Sequence, residues 1–263
     1  MKHSREEKIE ALGKVIDTLD ILRVECPWDR KQTNESLRPN TIEEVYELCE
    51  ALLNSDKANI KKELGDVLLH ILFYSKIGEE SGDFDIADVA EALNSKLIFR
   101  HPHVFGDTKV NDSHDVEQNW EQIKLKEKGG NKTVLAGVPK SLPAMIKADR
   151  IQEKASNVGF DWDERSQVWD KVCEEIGEVA KEIDAMSQDR MEAEFGDLFF
   201  SLVNATRLYG VNPENALERT NQKFISRFNY VEAAAKKAGR NLKEMTLAEM
   251  DELWNEAKSI EQN

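Results

Sequence analysis

The sequence predicts an all-α protein built from one helical domain repeated in tandem. Three observations carry that prediction. Nearly every periodic segment has the helical period, and no run of alternating β-branched residues marks a strand. Residues 43–66, EEVYELCEALLNSDKANIKKELGD, and residues 174–197, EEIGEVAKEIDAMSQDRMEAEFGD, share one spacing: Glu-Glu-x-x-Glu, then Glu-x-Gly-Asp after 15 intervening residues. The parallel extends beyond these stretches. A Trp-Asp pair precedes each (Trp28-Asp29 and Trp162-Asp163), and NSKLIFR at 94–100 answers NQKFISR at 221–227. The offset is 131 residues for the acidic stretches and 127 for the later match, a difference that four loop residues account for. Two copies of one helical unit explain the pattern economically.

The elements follow in order. A first helix is expected over 4–24, ending before Pro27, and a polar loop, ECPWDRKQTNESLRPN, leads to a second over 41–53. Helices over 60–80 and 86–99 come next, then the HPHVFGD loop and a helix over 112–128. The stretch GGNKTVLAGVPKSLP at 129–143 holds three glycines and two prolines and reads as a linker. It divides the chain into an amino-terminal domain, 1–128, and a carboxyl-terminal domain, 144–263. The second domain is expected to hold helices over 144–156, 164–186, 189–209, 213–238 and 246–260, with the loop NVGFDWD after the first.

A chain of 263 residues has room for two domains, each with its own core. The net charge of −15 is spread over both: 18 basic and 27 acidic residues in 1–130, 18 and 24 in 131–263. Two acidic halves argue against duplex nucleic acid as a partner, because phosphate backbones select basic faces. The longest apolar runs, VLLHILFY and LFFSLV, are too short for a membrane span, and the charged start, MKHSREEKIEALGK, lacks the core of a secretion signal. Cys26, Cys49 and Cys173 are few and far apart, as in a reduced cytoplasm.

The acidic stretches carry the chemistry. Acids at this spacing also suit a solvated helix face, and Thr41 with Glu44 suits a capping box. The second helix of each pair tilts the reading. FGDLFFSLV around Asp197 and LGDVLLHILF around Asp66 are apolar nearly all round, which sets their carboxylates against packed surface. Glu194 and Asp197 share a helix face, as do Glu63 and Asp66. On the first helix, Glu174, Glu175 and Glu178 are expected on the side away from Val172, Ile176, Val179 and Ile183. Folding each pair into a hairpin gathers four carboxylates, whose repulsion a cation relieves. Oxygen donors select a hard ion, Mg²⁺ or Mn²⁺. The carboxyl-terminal half has no histidine, so neither a Glu-x-x-His di-iron site nor a histidine-based nucleophilic triad exists there. Metal-activated water remains for hydrolysis, with a spare carboxylate as base. For phosphate binding, GGNKT lacks the spacing of a P-loop. Lys171, Arg190, Lys223 and Arg227 are the cations one turn from, or repeated with, the acidic stretches, though each also suits an ordinary surface position. His101-Pro102-His103 reads as a rigid turn, and His70 as a core histidine or a polar group near the first acidic cluster.

These motifs, together with CPWD, KLIFRHPHVFGD and SNVGFDWD, closely resemble the two-domain bacterial MazG proteins over nearly the whole chain. The resemblance implies an all-α nucleoside triphosphate pyrophosphohydrolase that needs Mg²⁺ and releases nucleoside monophosphate and pyrophosphate. By position it implies Glu175, Glu178, Glu194 and Asp197 as metal ligands. Lys171, Glu174, Arg190, Lys223, Arg227 and Trp254 then become nucleotide contacts. It implies an intertwined homodimer, in which Trp254 serves a site on either subunit, and it assigns activity to the carboxyl-terminal copy. The amino-terminal copy keeps Glu44, Glu47, Glu63 and Asp66. It lacks a partner for Lys171, since Asn40 stands 131 residues earlier, and is expected to support dimerisation or regulation with a residual metal site. The competing reading is a helical scaffold stabilised by metal and without turnover.

Overall fold

The computed structural model describes residues 2–110, 116, 123, 132–185 and 187–261. All regular structure among them is helical, as the periodicity predicts. The helix expected over 112–128 lies outside the described residues apart from 116 and 123, and residues 132–143 run as turns and bends. The chain divides into two compact units, Met1–Val110 and Asn111–Asn263.

The amino-terminal unit is built on helices α1 (Arg5–Glu25), α2 (Asn34–Leu53), α3 (Lys57–Ser81) and α4 (Ile86–Arg100), followed by one turn, α5 (Pro102–Phe105). Ser4 caps α1 in a reciprocal box with Glu7. Asp56 caps α3, and Gly82, at φ 73°, closes it in the left-handed conformation that glycine adopts freely. Three residues separate α2 from α3, so the two fold back on each other as the main pair of the unit, with α1 and α4 against α3. Leu19, Leu37, Leu72 and Phe73 form the core. Beside it, buried Arg23 is bonded through both Nε and Nη2 to Glu80 and lies over the Phe73 ring.

Helix α2 begins seven residues before the expected position 41. Thr33 Oγ1 accepts from Ser36 N–H and Ser36 Oγ accepts from Thr33 N–H, which starts the helix at Asn34. Pro39 therefore lies inside it. Leu37, 2 % exposed, fixes this added stretch in the core, and that packing outweighs the backbone bond that proline forgoes. Thr41 is consequently no cap. Its hydroxyl bonds to Leu37 O and sits 2.6 Å from Tyr74 OH and 3.0 Å from Nδ1 of buried His70.

The carboxyl-terminal unit comprises α6 (Ala144–Ser156), α7 (Val168–Ala185), α8 (Gln188–Leu208), α9 (Pro213–Lys237) and α10 (Leu247–Glu261), with a 3₁₀ turn at Arg165–Gln167 leading into α7. Two residues separate α7 from α8, which pair as α2 and α3 do; α6 lies on α8, and α9 on α10 and α6. The buried stripe of α7 is Val168, Val172, Glu175 and Val179. This corrects the expected facing of that helix. Ile176 and Ile183 are exposed, while Glu175, three residues from Val172 and four from Val179, shares their side.

Candidate metal centre and nucleotide cavity

The α7–α8 hairpin brings one carboxylate oxygen each of Glu175, Glu194 and Asp197 within 4.8 Å of one another. Glu44, Glu63 and Asp66, the matching positions of the repeat, do the same across α2 and α3. Glu178 and Glu47 stand outside these groups of three. They remain close enough to act on them. Desolvation pushes the Glu194 carboxyl above its ordinary range, and Glu178, Asp197, Glu175 and Glu182 push it further. Glu44 is raised in the same way, by burial and then by Asp66, Glu47 and Glu63 against the opposing charge of Lys62.

Only one carboxylate per group lies in packed surface: Glu175, 4 % exposed, and Glu63, 5 % exposed. Asp197 is exposed, because the apolar segment of α8 around it is not covered on every side. Each buried carboxylate uses its two oxygens differently. Lys171 Nζ lies 2.6 Å from Glu175 Oε1, and Lys62 Nζ 2.9 Å from Glu63 Oε1. Oε2 of both glutamates is buried with no hydrogen-bond partner. A buried anionic oxygen without a donor is costly, and a cation satisfies it. The donor set is wholly carboxylate, with no histidine or cysteine in either group, which fits a hard divalent ion. Lys171 also pairs with Glu174 at 3.2 Å, and these two acids hold its ammonium well above the ordinary lysine range.

A cavity of about 820 Å³ opens beside the carboxyl-terminal group. Lys171, Glu175 and Asp197 line it together with Phe160, Trp162 and Phe200. Its walls are fixed by two polar contacts. Buried Gln152 donates through Nε2 to Phe200 O at 2.8 Å. Arg207 on α8 holds Asp161 of the NVGFDWD loop at 2.9 and 2.6 Å. Burial pushes the Asp161 carboxyl up, but Arg207 and the Trp162 N–H outweigh it and hold the group below its usual range. Sequence reasoning passed over Phe160, Trp162, Arg207 and Gln152 as site residues. The available signal was an aromatic-rich, aspartate-bearing loop placed just before the acidic helix.

The other expected nucleotide contacts are not among the residues lining this cavity. Arg190 Nε lies 3.1 Å from Glu182 Oε2 and bonds to Ser187. Lys223 is exposed on α9. Arg227, one turn on, bonds to Glu261 at 2.9 and 2.7 Å and lies over the Trp254 ring, which itself packs against Phe224. His101 Nδ1 sits 2.6 Å from Leu97 O at the end of α4, so the HPH segment forms a turn, as expected.

The profile of the MazG nucleotide pyrophosphohydrolase domain matches residues 32–105 and again residues 165–232. The chain belongs to the MazG family. It is 46 % identical over 234 residues to the nucleoside triphosphate pyrophosphohydrolase/pyrophosphatase MazG of Thermotoga maritima, covering 89 % of each chain. It is 40 % identical over 240 residues to the nucleoside triphosphate pyrophosphohydrolase of Escherichia coli K12, covering 90 % of this chain and 91 % of that one. A third relative, the uncharacterized protein YabN of Bacillus subtilis, is 49 % identical over 238 residues, which is 90 % of this chain and 49 % of YabN. Each MazG match contains one complete carboxylate group, so the repeat seen in the spacing is a repeat of the family domain. Trp254 and the NVGFDWD loop lie outside the matched segments. Among the described residues no helix is long and apolar enough to cross a membrane.

Proposed function

We propose that this MazG chain hydrolyses nucleoside triphosphates to nucleoside monophosphate and pyrophosphate, with Mg²⁺ held by its carboxyl-terminal carboxylates. The observation that carries the reading is the buried, unpartnered Oε2 of Glu175 within a group of three converging acids, beside a cavity with aromatic walls. The names of the Thermotoga and Escherichia relatives support the reaction. Glu175, Glu194 and Asp197 hold the ion, and Glu178 completes the anionic surround; Mn²⁺ substitutes. The ion neutralises phosphate charge and lowers the pKa of a bound water.

The chain's own groups do the rest. The cavity takes the nucleoside, with Phe160, Trp162 and Phe200 offering apolar contact that any base tolerates. Lys171 faces the same cavity and offsets charge developing on the phosphates. Glu174, bonded to the Lys171 ammonium, takes a proton from the attacking water. The water oxygen bonds to the α-phosphorus, the bond from the α-phosphorus to the bridging oxygen breaks, and pyrophosphate leaves with that oxygen. Arg190, Lys223, Arg227 and Trp254 contact the nucleotide from α8, α9 and α10, within one chain or from a second copy. The amino-terminal unit supports dimerisation or regulation, and nucleotide-pool cleaning is the cellular role this chemistry suits.

Product analysis with Mg²⁺ and a panel of ribo- and deoxyribonucleoside triphosphates tests the proposal. Pyrophosphate is expected with every base, and Asp197→Ala abolishes its release. Orthophosphate as the product, or no turnover with any triphosphate despite bound metal, leaves the scaffold reading in its place.

A further inference from the structure

The two carboxylate groups carry the same acids at the same repeat positions but different cations. In the amino-terminal group Lys62 Nζ lies 2.9 Å from Glu63 Oε1, 3.7 Å from Asp66 Oδ2 and 3.8 Å from Glu47 Oε2. One ammonium thus touches acids of both helices of the hairpin. At the matching position, 131 residues on, stands Ala193. The carboxyl-terminal group draws its cation from Lys171, whose two ion pairs, to Glu174 and Glu175, stay on its own helix. Lys171 therefore covers the α7 edge of the group. Among the described residues Glu194 and Asp197 have no ion pair, so the α8 side stays uncompensated.

We infer that Lys62 is a tethered counter-ion, which supplies the amino-terminal group with positive charge that a divalent cation must displace. Cation binding, and with it turnover, then concentrates in the carboxyl-terminal copy. The inference rests on the reading that both groups hold divalent cations. Independent support for a cation at the amino-terminal group is Oε2 of Glu63, buried and without a hydrogen-bond donor while Lys62 occupies Oε1. Lys62 is adjacent in sequence to Glu63, which keeps its ammonium local. Its side chain is 61 % exposed, so a bound ion drives it into solvent rather than being excluded outright. Even at the dielectric of bulk water, a unit charge about 4–5 Å from a divalent ion weakens binding on the order of tenfold.

Mn²⁺ binding to the full chain, followed by the electron paramagnetic resonance of the free ion, tests this without reference to turnover. Wild-type protein is expected to show a tight class that Asp197→Ala removes and a class about tenfold weaker that Asp66→Ala removes. Lys62→Met keeps the aliphatic stem and should tighten the weak class about tenfold, whereas Lys62→Arg should leave it weak. Ala193→Lys, the reciprocal change, should weaken the tight class. Turnover by the carboxyl-terminal copy should be unchanged in Lys62→Met. If Lys62→Met and Lys62→Arg bind Mn²⁺ alike while Asp197→Ala still removes a site, the counter-ion role is wrong and the metal reading survives. If the wild-type chain binds no Mn²⁺ at either group, the metal reading itself fails.

Discussion

Glu175 joins burial to chemistry in a single side chain. One oxygen is held by Lys171, the other has no partner, and the residue lies in the same buried stripe as Val172 and Val179. A charge placed there is costly unless a cation shares it. Glu175→Gln keeps the volume and removes the charge, and steady-state pyrophosphate release should fall on the order of a hundredfold or more. Glu44→Gln, its counterpart in the repeat, should change that rate by no more than about twofold if the carboxyl-terminal copy does the work. Equal losses in the two variants would overturn the division of labour. The positions of the acids were legible because the chain shows the same spacing twice. Which acid in each group is buried was not: Glu175 and Glu63 do not occupy matching positions, because that depends on what each helix packs against. Lys62 escaped notice for a related reason. Neighbours in sequence point to different sides of a helix, and only its long stem lets the ammonium return to the acids.

Helix pairs were legible from period and spacing, their ends less so. Pro39 argued for a helix starting at Thr41, yet the Thr33–Ser36 box and Leu37 in the core carry α2 through the proline. Sequence separation hid that core contact, since Leu37 meets Leu19 and Leu72 only once three helices have assembled. Leu37→Ala should cost about 2–5 kcal/mol, read as a lowered urea midpoint for the amino-terminal unit with α7 and α8 unaffected. At the other end of the chain, α10 is held by a charged cap. Arg240 and the backbone and hydroxyl of Thr246 lower the Glu249 carboxyl from 4.5 to about 2. A depressed carboxylate stabilises the fold above its unfolded value and loses that contribution as the pH falls through its folded value. The window therefore runs from 4.5 down to about 2. Glu249→Gln should unfold at a lower temperature than wild type at neutral pH, and the gap should close across that window in thermal melts. The exposure of the Arg240–Glu249 pair keeps the effect small and salt-sensitive.

The molecule leaves much apolar surface uncovered. Phe199 on α8 and Phe224 and Ile225 on α9 are 60 %, 57 % and 57 % exposed, large apolar side chains that a partner surface would cover. A second copy is the partner that the family resemblance implies, and it bears on the site. The three grouped carboxylates come from α7 and α8 of one chain, while Lys223, Arg227 and Trp254 gather on α9 and α10, outside the residues lining the cavity. We propose that, in the intertwined dimer the resemblance implies, the α9–α10 set of one copy completes the site of the other. Mixing two inactive variants decides this. In a heterodimer of Asp197→Ala and Trp254→Ala chains, a shared site leaves one of two centres with intact carboxylates and an intact tryptophan. Random pairing makes half the dimers mixed, so about a quarter of wild-type turnover should return after subunit exchange. If each chain completes its own site, every centre in the mixture lacks one group and no turnover returns. Phe199→Glu with Ile225→Glu supplies the control. It should yield a monomer by sedimentation that still binds Mn²⁺ at the carboxylates and has lost turnover, and a fully active monomer would place every contact within a single chain.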